Sequence, residues 1–134
     1  MTSIFTRIVK GEIPCYKVAE DDQFLAFLDI NPLAKGHTLV IPKTETDYIF
    51  DLNDGEYSRL FLFARKVAHA VEKVVPCKRI GIAVLGLEVP HAHIHLVPIN
   101  TVYDIDFSKP KLALSQDEFL ELVGKISTEF ARIN

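Results

Sequence analysis

Histidine alternates with apolar residues through one short segment, and this pattern constrains the fold more than any other feature of the chain. The segment His91–Val97 reads HAHIHLV. Side chains along a β-strand point alternately to opposite faces, so the pattern predicts a strand with its imidazoles on one face and its apolar side chains in the core. Neighbouring imidazoles of such a row begin roughly 6.6 Å apart, close enough to surround one phosphate group. Pro90 and Pro98 limit the strand to a short one.

The imidazole row has two alternative interpretations. Three of the chain's five histidines lie in this segment, and a purely structural strand gains little from polar rings that titrate near neutral pH. A solvated strand face that carries histidine by chance is one alternative. A zinc site is the other, because His-X-His on a strand can present two nitrogens to one ion, although such a site needs further ligands and a supporting shell.

Length and composition predict one globular domain, spanning residues 1–134. The sequence has no run of about 18 apolar residues that could span a bilayer, and Met1–Arg7 lacks the pattern of a secretory signal, so a cytoplasmic protein is expected. Cys15 and Cys77 are isolated and are expected to be free thiols. A net charge of -3 argues against binding to a nucleic acid backbone.

The periodicity of the remaining chain predicts three helices and four further strands. The first helix runs from Ile4 to Lys10 and is capped by Ser3, and strands follow at Cys15–Glu20, Gln23–Asp29 and Gly36–Pro42. A long helix at Asp54–Val75 precedes a strand at Arg79–Leu85 and the histidine strand. The C-terminal helix starts with a capping box at Ser115–Glu118. The last two strands are expected to be antiparallel, because a five-residue link between them is too short for a parallel crossover.

The long helix carries an apolar stripe at three-and-four spacing. The stripe consists of Tyr57, Leu60, Phe61, Ala64, Val67, Ala68 and Val71. Leu62 and Phe63 fall outside it, which indicates a surface for a partner. His69 falls on the polar side of the helix, where we expect a solvated residue.

The histidine segment resembles the His-x-His-x-His-x-x motif, with x apolar, of the histidine triad family of nucleotide hydrolases and transferases, in its Hint-like branch. Ile4–Pro14, Phe24–Pro32 and Gly36–Lys43 also match the family in order and spacing. The resemblance ends near Asn100, so residues 101–134 are expected to be a branch-specific C-terminal extension packed on the domain. Together with the strand pattern it implies an α+β fold: an antiparallel sheet of about five strands, one long helix, and short N- and C-terminal helices.

The resemblance also implies a role for each site residue. His93 would be the nucleophile that attacks an α-phosphorus, a role that suits imidazole because a ring with a pKa near 6.5 is largely neutral at pH 7. His95 and His37 would hydrogen-bond the phosphate or the leaving group, and His91 would orient the row. Asp29 would accept hydrogen bonds from both ribose hydroxyls, although it could also simply form a turn. The base pocket would consist of Ile4, Phe5, Ile8, Phe27 and Ile30, any of which could be an ordinary core residue. The family chemistry requires no metal and no cofactor.

The turn before the histidine segment departs from the family pattern. Family hydrolases carry there a longer loop ending Gly-Gln-Ser/Thr-Val-x, whose side chains contact the phosphate and leaving group. This chain has only Gly86–Pro90, with Leu87 at the Gln position and Glu88 at the hydroxyl position. A carboxylate at position 88 would repel phosphate if it pointed inward.

The resulting hypothesis is a nucleotide-binding hydrolase. It would cleave a nucleoside monophosphate from a phosphoramidate, an adenylate or a dinucleoside polyphosphate through a nucleotidyl intermediate on His93. A nucleotide-binding regulator with little turnover is the alternative that the short turn favours, and a metal-binding protein is the third. The expected partners are a purine nucleotide or nucleotide conjugate and a second copy of the chain in a homodimer.

Overall fold

A five-stranded antiparallel sheet in the order β1-β2-β3-β5-β4 forms the middle of the molecule. The computed structural model describes residues 2–133; Met1 and Asn134, the ends of the predicted domain, lie outside the described residues. The strands are β1 (Lys17–Glu20), β2 (Phe24–Leu28), β3 (Thr38–Pro42), β4 (Arg79–Ala83) and β5 (Ile94–Ile99). The predicted α+β class, hairpin and antiparallel β4–β5 pair are confirmed.

Within residues 2–133, three α-helices accompany the sheet: α1 (Ile4–Val9), α2 (Asp54–Val74) and α3 (Gln116–Ala131). Each begins at a side-chain cap, from Ser3, Asn53 and Ser115 respectively, which satisfies a backbone N–H that the first turn leaves free. The C-terminal helix has 16 residues, so the prediction of a short one is wrong. No helix within residues 2–133 combines the length and apolarity needed to cross a membrane.

Apolar side chains cover both faces of the sheet. On one face, α2 and α3 pack over residues such as Phe24, Val40 and Leu96. On the other face, Phe5 of α1 lies in a smaller cluster of buried residues with Leu25, Phe27, Leu39 and Ile41. Because both faces are buried, β2 and β3 read as continuous apolar runs. Along β3, Leu39 and Ile41 lie on the face opposite Val40.

The C-terminal helix widens the buried face of α2. Phe63 is 6% exposed, and its ring centroid lies 5.6 Å from both Phe24 and Phe130 of α3. The prediction that Phe63 belongs to a partner surface is therefore wrong, because α3 covers a side of α2 that the apolar stripe does not include. Leu62 is exposed, as predicted. His69 is also exposed, and it hydrogen-bonds Glu72 on the same helix.

The histidine strand is shorter than predicted, since β5 begins at Ile94 rather than at His91. The backbone before it is engaged elsewhere: the Ala92 N–H donates to Thr46 O at 2.7 Å and the His91 N–H to Val89 O at 2.8 Å. The predicted division of faces nevertheless holds, because Ala92, Ile94 and Leu96 lie in the core under α2. The imidazoles lie on the opposite side, where Phe5 contacts His91 and His93.

The chain after β5 makes a 3₁₀ turn at Val102–Asp104 and then runs to α3. Helix α3 packs against α2 and β1, and Tyr16 stacks on Phe119 with ring centroids 4.6 Å apart. That residues 101–134 are specific to one branch of a family stays a prediction.

Candidate active site

A pocket of about 400 Å³ opens beside α1 and collects most of the predicted site residues. Those that line it are Ile4, Phe5, Ile8, Phe27, Asp29, Ile30, Glu88, His93 and His95. His37 and His91 lie behind this surface and are buried. The structure therefore brings together all the predicted residues, with two of the four histidines facing the pocket and two supporting them.

The end of the pocket beside α1 is apolar. Phe5 and Phe27 contact each other edge to face, with ring centroids 5.6 Å apart, and both belong to the small core cluster. They are thus core residues and pocket walls at once, so the two interpretations are compatible. Ile4 and Ile30 are exposed and form the rim. Such a surface suits the flat apolar face of a nucleobase.

Asp29 divides its two carboxylate oxygens between a turn and the site. Oδ1 accepts a hydrogen bond from the Asn31 N–H at 2.8 Å, so the turn interpretation holds for this oxygen. Oδ2 lies 3.6 Å from His37 Nε2. Burial raises the pKa of the Asp29 carboxyl, and the nearby Glu88 carboxylate adds to that rise.

The hydrogen bonds of His37 fix the proton positions on two rings. The Leu33 N–H donates to His37 Nδ1 at 3.0 Å, so the proton of the neutral His37 ring is on Nε2. That N–H faces His95 Nδ1 at 3.0 Å, which must accept it. The proton of His95 is therefore on Nε2. Burial lowers the pKa of His37 to about 4 and that of His95 to about 3, so both rings are neutral at pH 7.

His93 has the opposite tautomer. Its Nδ1 lies 2.7 Å from the carbonyl oxygen of His91, and because a carbonyl can only accept, Nδ1 carries the proton. In the neutral ring Nε2 then has a free lone pair. The pocket thus has an imidazole lone pair on His93 and an imidazole N–H on His95, in rings whose centroids are 5.0 Å apart.

His91 is held from both sides. Its Nε2 donates to Pro42 O at 2.8 Å, and its Nδ1 therefore accepts from the Ser3 hydroxyl at 2.7 Å. Burial lowers the pKa of His91, which keeps it neutral. Since the His91 carbonyl orients His93, the position of the nucleophile candidate depends on this ring and its partners.

Sequence reasoning missed the small polar cluster behind His91. One oxygen of Glu45 accepts from the Ser3 N–H at 2.7 Å and from the Thr6 hydroxyl at 2.6 Å. These two bonds lower the pKa of Glu45 to about 2. Ser3 was predicted only as a helix cap, and no motif marked Thr6 or Glu45. The available signal in the sequence was a pair of hydroxyl residues, Ser3 at the cap and Thr6 at the third helical position. No sequence pattern connects this pair to Glu45.

Phe107 is a second residue that sequence reasoning missed. Its ring lines the pocket, with its centroid 4.7 Å from that of His95 and 6.2 Å from that of His37. It lies in the segment between β5 and α3, which gave no helix or strand pattern. Leu85 and Leu87 also line this end of the pocket, and Leu87 is 90% exposed.

Asp29, His37 and His95 are the described residues with the best geometry for a metal ion, since their ligand atoms lie within 4.8 Å of one another. The hydrogen bonds do not fit that use. His37 would have to bind the ion through Nε2, but the Leu33 N–H at Nδ1 holds its proton on Nε2. Moving the His37 proton to Nδ1 would make that N–H face the Leu33 N–H, so two donors would point at each other. The hydrogen bonds of His37 therefore favour a proton, rather than a metal ion, on Nε2.

The fold and the site define a class of small α+β proteins with a histidine cluster at a pocket beside the sheet. The family model described as "HIT domain" matches residues 10–102, and the chain belongs to this family. An uncharacterized HIT-like protein of Borreliella burgdorferi is 38% identical over 132 residues, which cover 92% of this chain and 95% of that protein. Phe107 lies beyond the matched residues.

Two further similarities bear on function. The adenosine 5'-monophosphoramidase hnt1 of Schizosaccharomyces pombe is 36% identical over 132 residues, covering 96% of this chain and 98% of that protein. The crystal structure of a zinc-bound histidine triad family protein from Mycobacterium smegmatis superposes with a TM-score of 0.81 at 28% identity, covering 98% of this chain and 95% of that one.

Proposed function

We propose that this protein is a nucleotide-binding hydrolase that releases a nucleoside monophosphate from a phosphoramidate, an adenylate or a dinucleoside polyphosphate. His93 would be the nucleophile and would carry the nucleotidyl group between two steps. The observation that carries the proposal is the pair of opposite tautomers, a lone pair on His93 Nε2 beside an N–H on His95 Nε2. The monophosphoramidase activity in the name of the S. pombe relative supports the same reaction class.

In the first step, the lone pair of His93 Nε2 forms a bond to the α-phosphorus. The bond from phosphorus to the leaving nitrogen or oxygen breaks, and its electron pair stays on the leaving atom. The His95 Nε2–H donates a hydrogen bond to the leaving atom as negative charge develops on it. The leaving atom takes its proton from solvent, so His95 keeps its tautomer throughout the step.

In the second step, water attacks the phosphorus of the nucleotidyl-histidine. The bond between His93 and phosphorus breaks, and its electron pair returns to His93 Nε2. The nucleoside monophosphate leaves, and one proton of the attacking water passes to solvent. Donors beside the equatorial phosphate oxygens stabilise the charge that accumulates on them.

The rest of the pocket would bind the part of the substrate that does not react. The base would lie against the apolar wall of Ile4, Phe5, Ile8 and Phe27, and the ribose hydroxyls would donate to Asp29. Ground-state binding would then come mainly from groups other than His93. This separation is what makes binding and turnover independently measurable.

The test is turnover of a panel that contains an adenosine phosphoramidate, an aminoacyl-adenylate and a diadenosine polyphosphate, each labelled on the α-phosphate. We expect AMP as product and, after rapid denaturation, label on His93 identified by peptide mapping. Absence of AMP release from every compound would refute the hydrolase. Release of AMP without label on any histidine would refute the intermediate.

A nucleotide-binding regulator with little turnover is the second candidate. Exposed Leu87 and Glu88, at the positions where family hydrolases have an amide and a hydroxyl, favour it. Calorimetric binding of AMP by a protein that turns over none of the panel would select this candidate over the hydrolase.

We also propose that the protein is a homodimer. Strand β4 is an edge of the sheet, and Ile82 on it is 55% exposed. Leu62 of α2 is exposed as well, and an unprotected edge strand with apolar side chains favours pairing with a second copy. Sedimentation at micromolar concentration is expected to give twice the mass of the chain, and a monomer would refute the dimer.

A further inference from the structure

The backbone just before His93 is held by the loop that follows β3. The peptide unit between His91 and Ala92 makes two short hydrogen bonds, one on each side. Its N–H donates to Thr46 O at 2.7 Å, and its carbonyl oxygen accepts from His93 Nδ1 at 2.7 Å. A peptide that donates on one side and accepts on the other is polarised, so that each bond strengthens the other. The orientation of the His93 ring therefore depends on where this loop places the peptide.

The ring of His91 is anchored to the end of β3. Its Nε2 lies 2.8 Å from Pro42 O, a group that can only accept, so Nε2 carries the ring proton and Nδ1 must accept. Two hydroxyls lie near Nδ1, that of Ser3 at 2.7 Å and that of Thr6 at 3.4 Å. Nδ1 has a single lone pair, so a well-ordered ring needs one hydroxyl directed to it and the other directed away.

Glu45 makes this selection between the two hydroxyls. Its Oε1 accepts from the Thr6 hydroxyl at 2.6 Å and from the Ser3 N–H at 2.7 Å. An ionised carboxylate can only accept, so the Thr6 proton points at Glu45 and away from the imidazole. The Ser3 hydroxyl accepts the capping bond from the Thr6 N–H, and its own proton goes to His91 Nδ1.

Without the carboxylate, the hydroxyl protons would have several competing arrangements. The Thr6 hydroxyl could then donate to Ser3 Oγ, 3.2 Å away, or to His91 Nδ1. Glu45 is itself exposed, and it does not line the pocket. A side chain outside the pocket thus determines how a buried ring behind the pocket is hydrogen-bonded.

We propose that Glu45 is a positioning residue for the nucleophile candidate. Through Thr6 and Ser3 it selects the hydroxyl that donates to His91. Through the His91 ring and its carbonyl it then fixes the orientation of His93. The ordering of the rings stands on the geometry alone, whereas its effect on turnover rests on the proposed function. Since Glu45 touches neither the pocket nor its occupant, it should act on kcat and leave KM almost unchanged.

The first test measures the ring protons without any substrate. In proton–nitrogen NMR spectra of the wild type, the His91 Nε2–H and the His93 Nδ1–H should exchange slowly with water, because both donate to carbonyl oxygens. Glu45→Ala should speed both exchange rates roughly fivefold, the equivalent of one net hydrogen bond. Glu45→Gln should stay near the wild type, because its amide oxygen can accept the same two bonds.

The second test measures turnover of an adenosine phosphoramidate. Glu45→Ala should lower kcat roughly fivefold with KM almost unchanged, and Glu45→Gln should retain most of the wild-type kcat. Glu118→Ala is the matched control, because Glu118 also accepts from the N–H of a helix-capping residue, Ser115, at 3.1 Å and far from the pocket. Its kcat and ring-proton exchange should equal those of the wild type. Circular dichroism and thermal unfolding of each variant verify that the fold is retained.

A double variant tests whether Glu45 acts through Ser3. If it does, Ser3→Gly combined with Glu45→Ala should lower kcat no further than Ser3→Gly alone, by about fivefold. Independent effects would instead multiply to a loss of about 25-fold.

Three results would overturn the inference. Ring-proton exchange in Glu45→Ala equal to that of the wild type would show that the carboxylate does not order the imidazoles. Altered exchange with an unchanged kcat would show that the ordering does not serve the reaction. A multiplicative loss in the double variant would show that Glu45 does not act through Ser3. If the wild type turns over no substrate, the proposed function fails, and the exchange rates alone then decide whether Glu45 positions His93.

Discussion

The cluster of imidazoles and the turn that precedes it differ in burial and in hydrogen bonding. At the imidazole end, His37, His91, His93 and His95 are all buried, and each ring has a hydrogen-bond partner that fixes its tautomer. At the turn before them, Leu87 is 90% exposed and Glu88 is exposed too. The buried imidazoles therefore have the fixed proton positions that acid–base or nucleophilic chemistry needs, whereas the side chains of the turn are the less constrained ones.

The largest expected effect is at the buried end. His93→Ala should lower kcat by at least about 10⁴-fold while AMP binding stays nearly intact, because in the proposed function the base pocket and Asp29 would supply most ground-state contacts. His95→Ala should lower kcat less, by about 10²-fold to 10³-fold, as for loss of one hydrogen-bond donor at the reacting phosphate. Steady-state kinetics and calorimetric AMP binding measure both. Turnover of His93→Ala at the wild-type rate would sink the mechanism, and equal losses in the two variants would contradict their separate roles.

The second largest effect is expected in the pH dependence of the free energy of unfolding. Buried His37 and His95 have pKa values of about 4 and 3, below the ordinary value of 6.5. As pH falls through 6.5, the unfolded chain takes up a proton on each ring and the folded chain does not, so stability is present above this pH and is lost as pH falls toward 4. For His37 the loss between pH 7.5 and 5 is about 2 kcal/mol. Asp29, with its raised pKa, acts in the opposite direction.

Urea unfolding at pH 7.5 and 5.0 measures this loss. His37→Asn places an amide oxygen where Nδ1 accepts from the Leu33 N–H, so the fold should survive. The free energy of unfolding of this variant should fall between the two pH values by about 2 kcal/mol less than that of the wild type. His69→Asn, at an exposed position on α2, should behave as the wild type. An identical loss in His37→Asn and wild type would show that His37 titrates normally in the fold.

The buried end could be predicted from sequence only where the signal is local. Alternation placed the imidazoles opposite Ala92, Ile94 and Leu96, and the caps at Ser3 and Ser115 marked two helix starts. The start of β5 could not be predicted, because it depends on a hydrogen bond between Ala92 and Thr46, which are distant in sequence.

The same reason explains the other errors. The exposure of Phe63 depends on α3, which sequence periodicity within α2 cannot register. Contacts between Ser3, Glu45 and His91, and between Phe107 and His95, join different segments of the chain, and Glu45 and Phe107 lie in segments without a periodic pattern. Their location follows only from how the elements pack.

The third prediction concerns the support behind His91. Ser3→Gly removes the hydroxyl that donates to His91 Nδ1 but weakens the cap of α1 by only a few tenths of a kcal/mol. We expect kcat to fall roughly fivefold with KM almost unchanged, since losing one buried hydrogen bond is worth about 1 kcal/mol. Ser115→Gly is the matched control, because it weakens the cap of α3 equally and far from the pocket. A kcat equal to wild type in Ser3→Gly would show that Ser3 serves the helix alone.

The smallest effect is expected at the exposed turn. Glu88 lines the pocket, and its carboxylate contributes to the raised pKa of Asp29 as the smallest of the causes. Glu88→Gln removes the charge at nearly constant volume. Because solvent screens an exposed charge, kcat/KM for an adenosine phosphoramidate should rise only about twofold to threefold, and this gain should shrink as salt is added. Kinetics at 20 and 500 mM salt measure it. A kcat/KM equal to that of the wild type at both salt concentrations would show that Glu88 takes no part in the site, and low turnover would then come from the shortness of the Gly86–Pro90 turn.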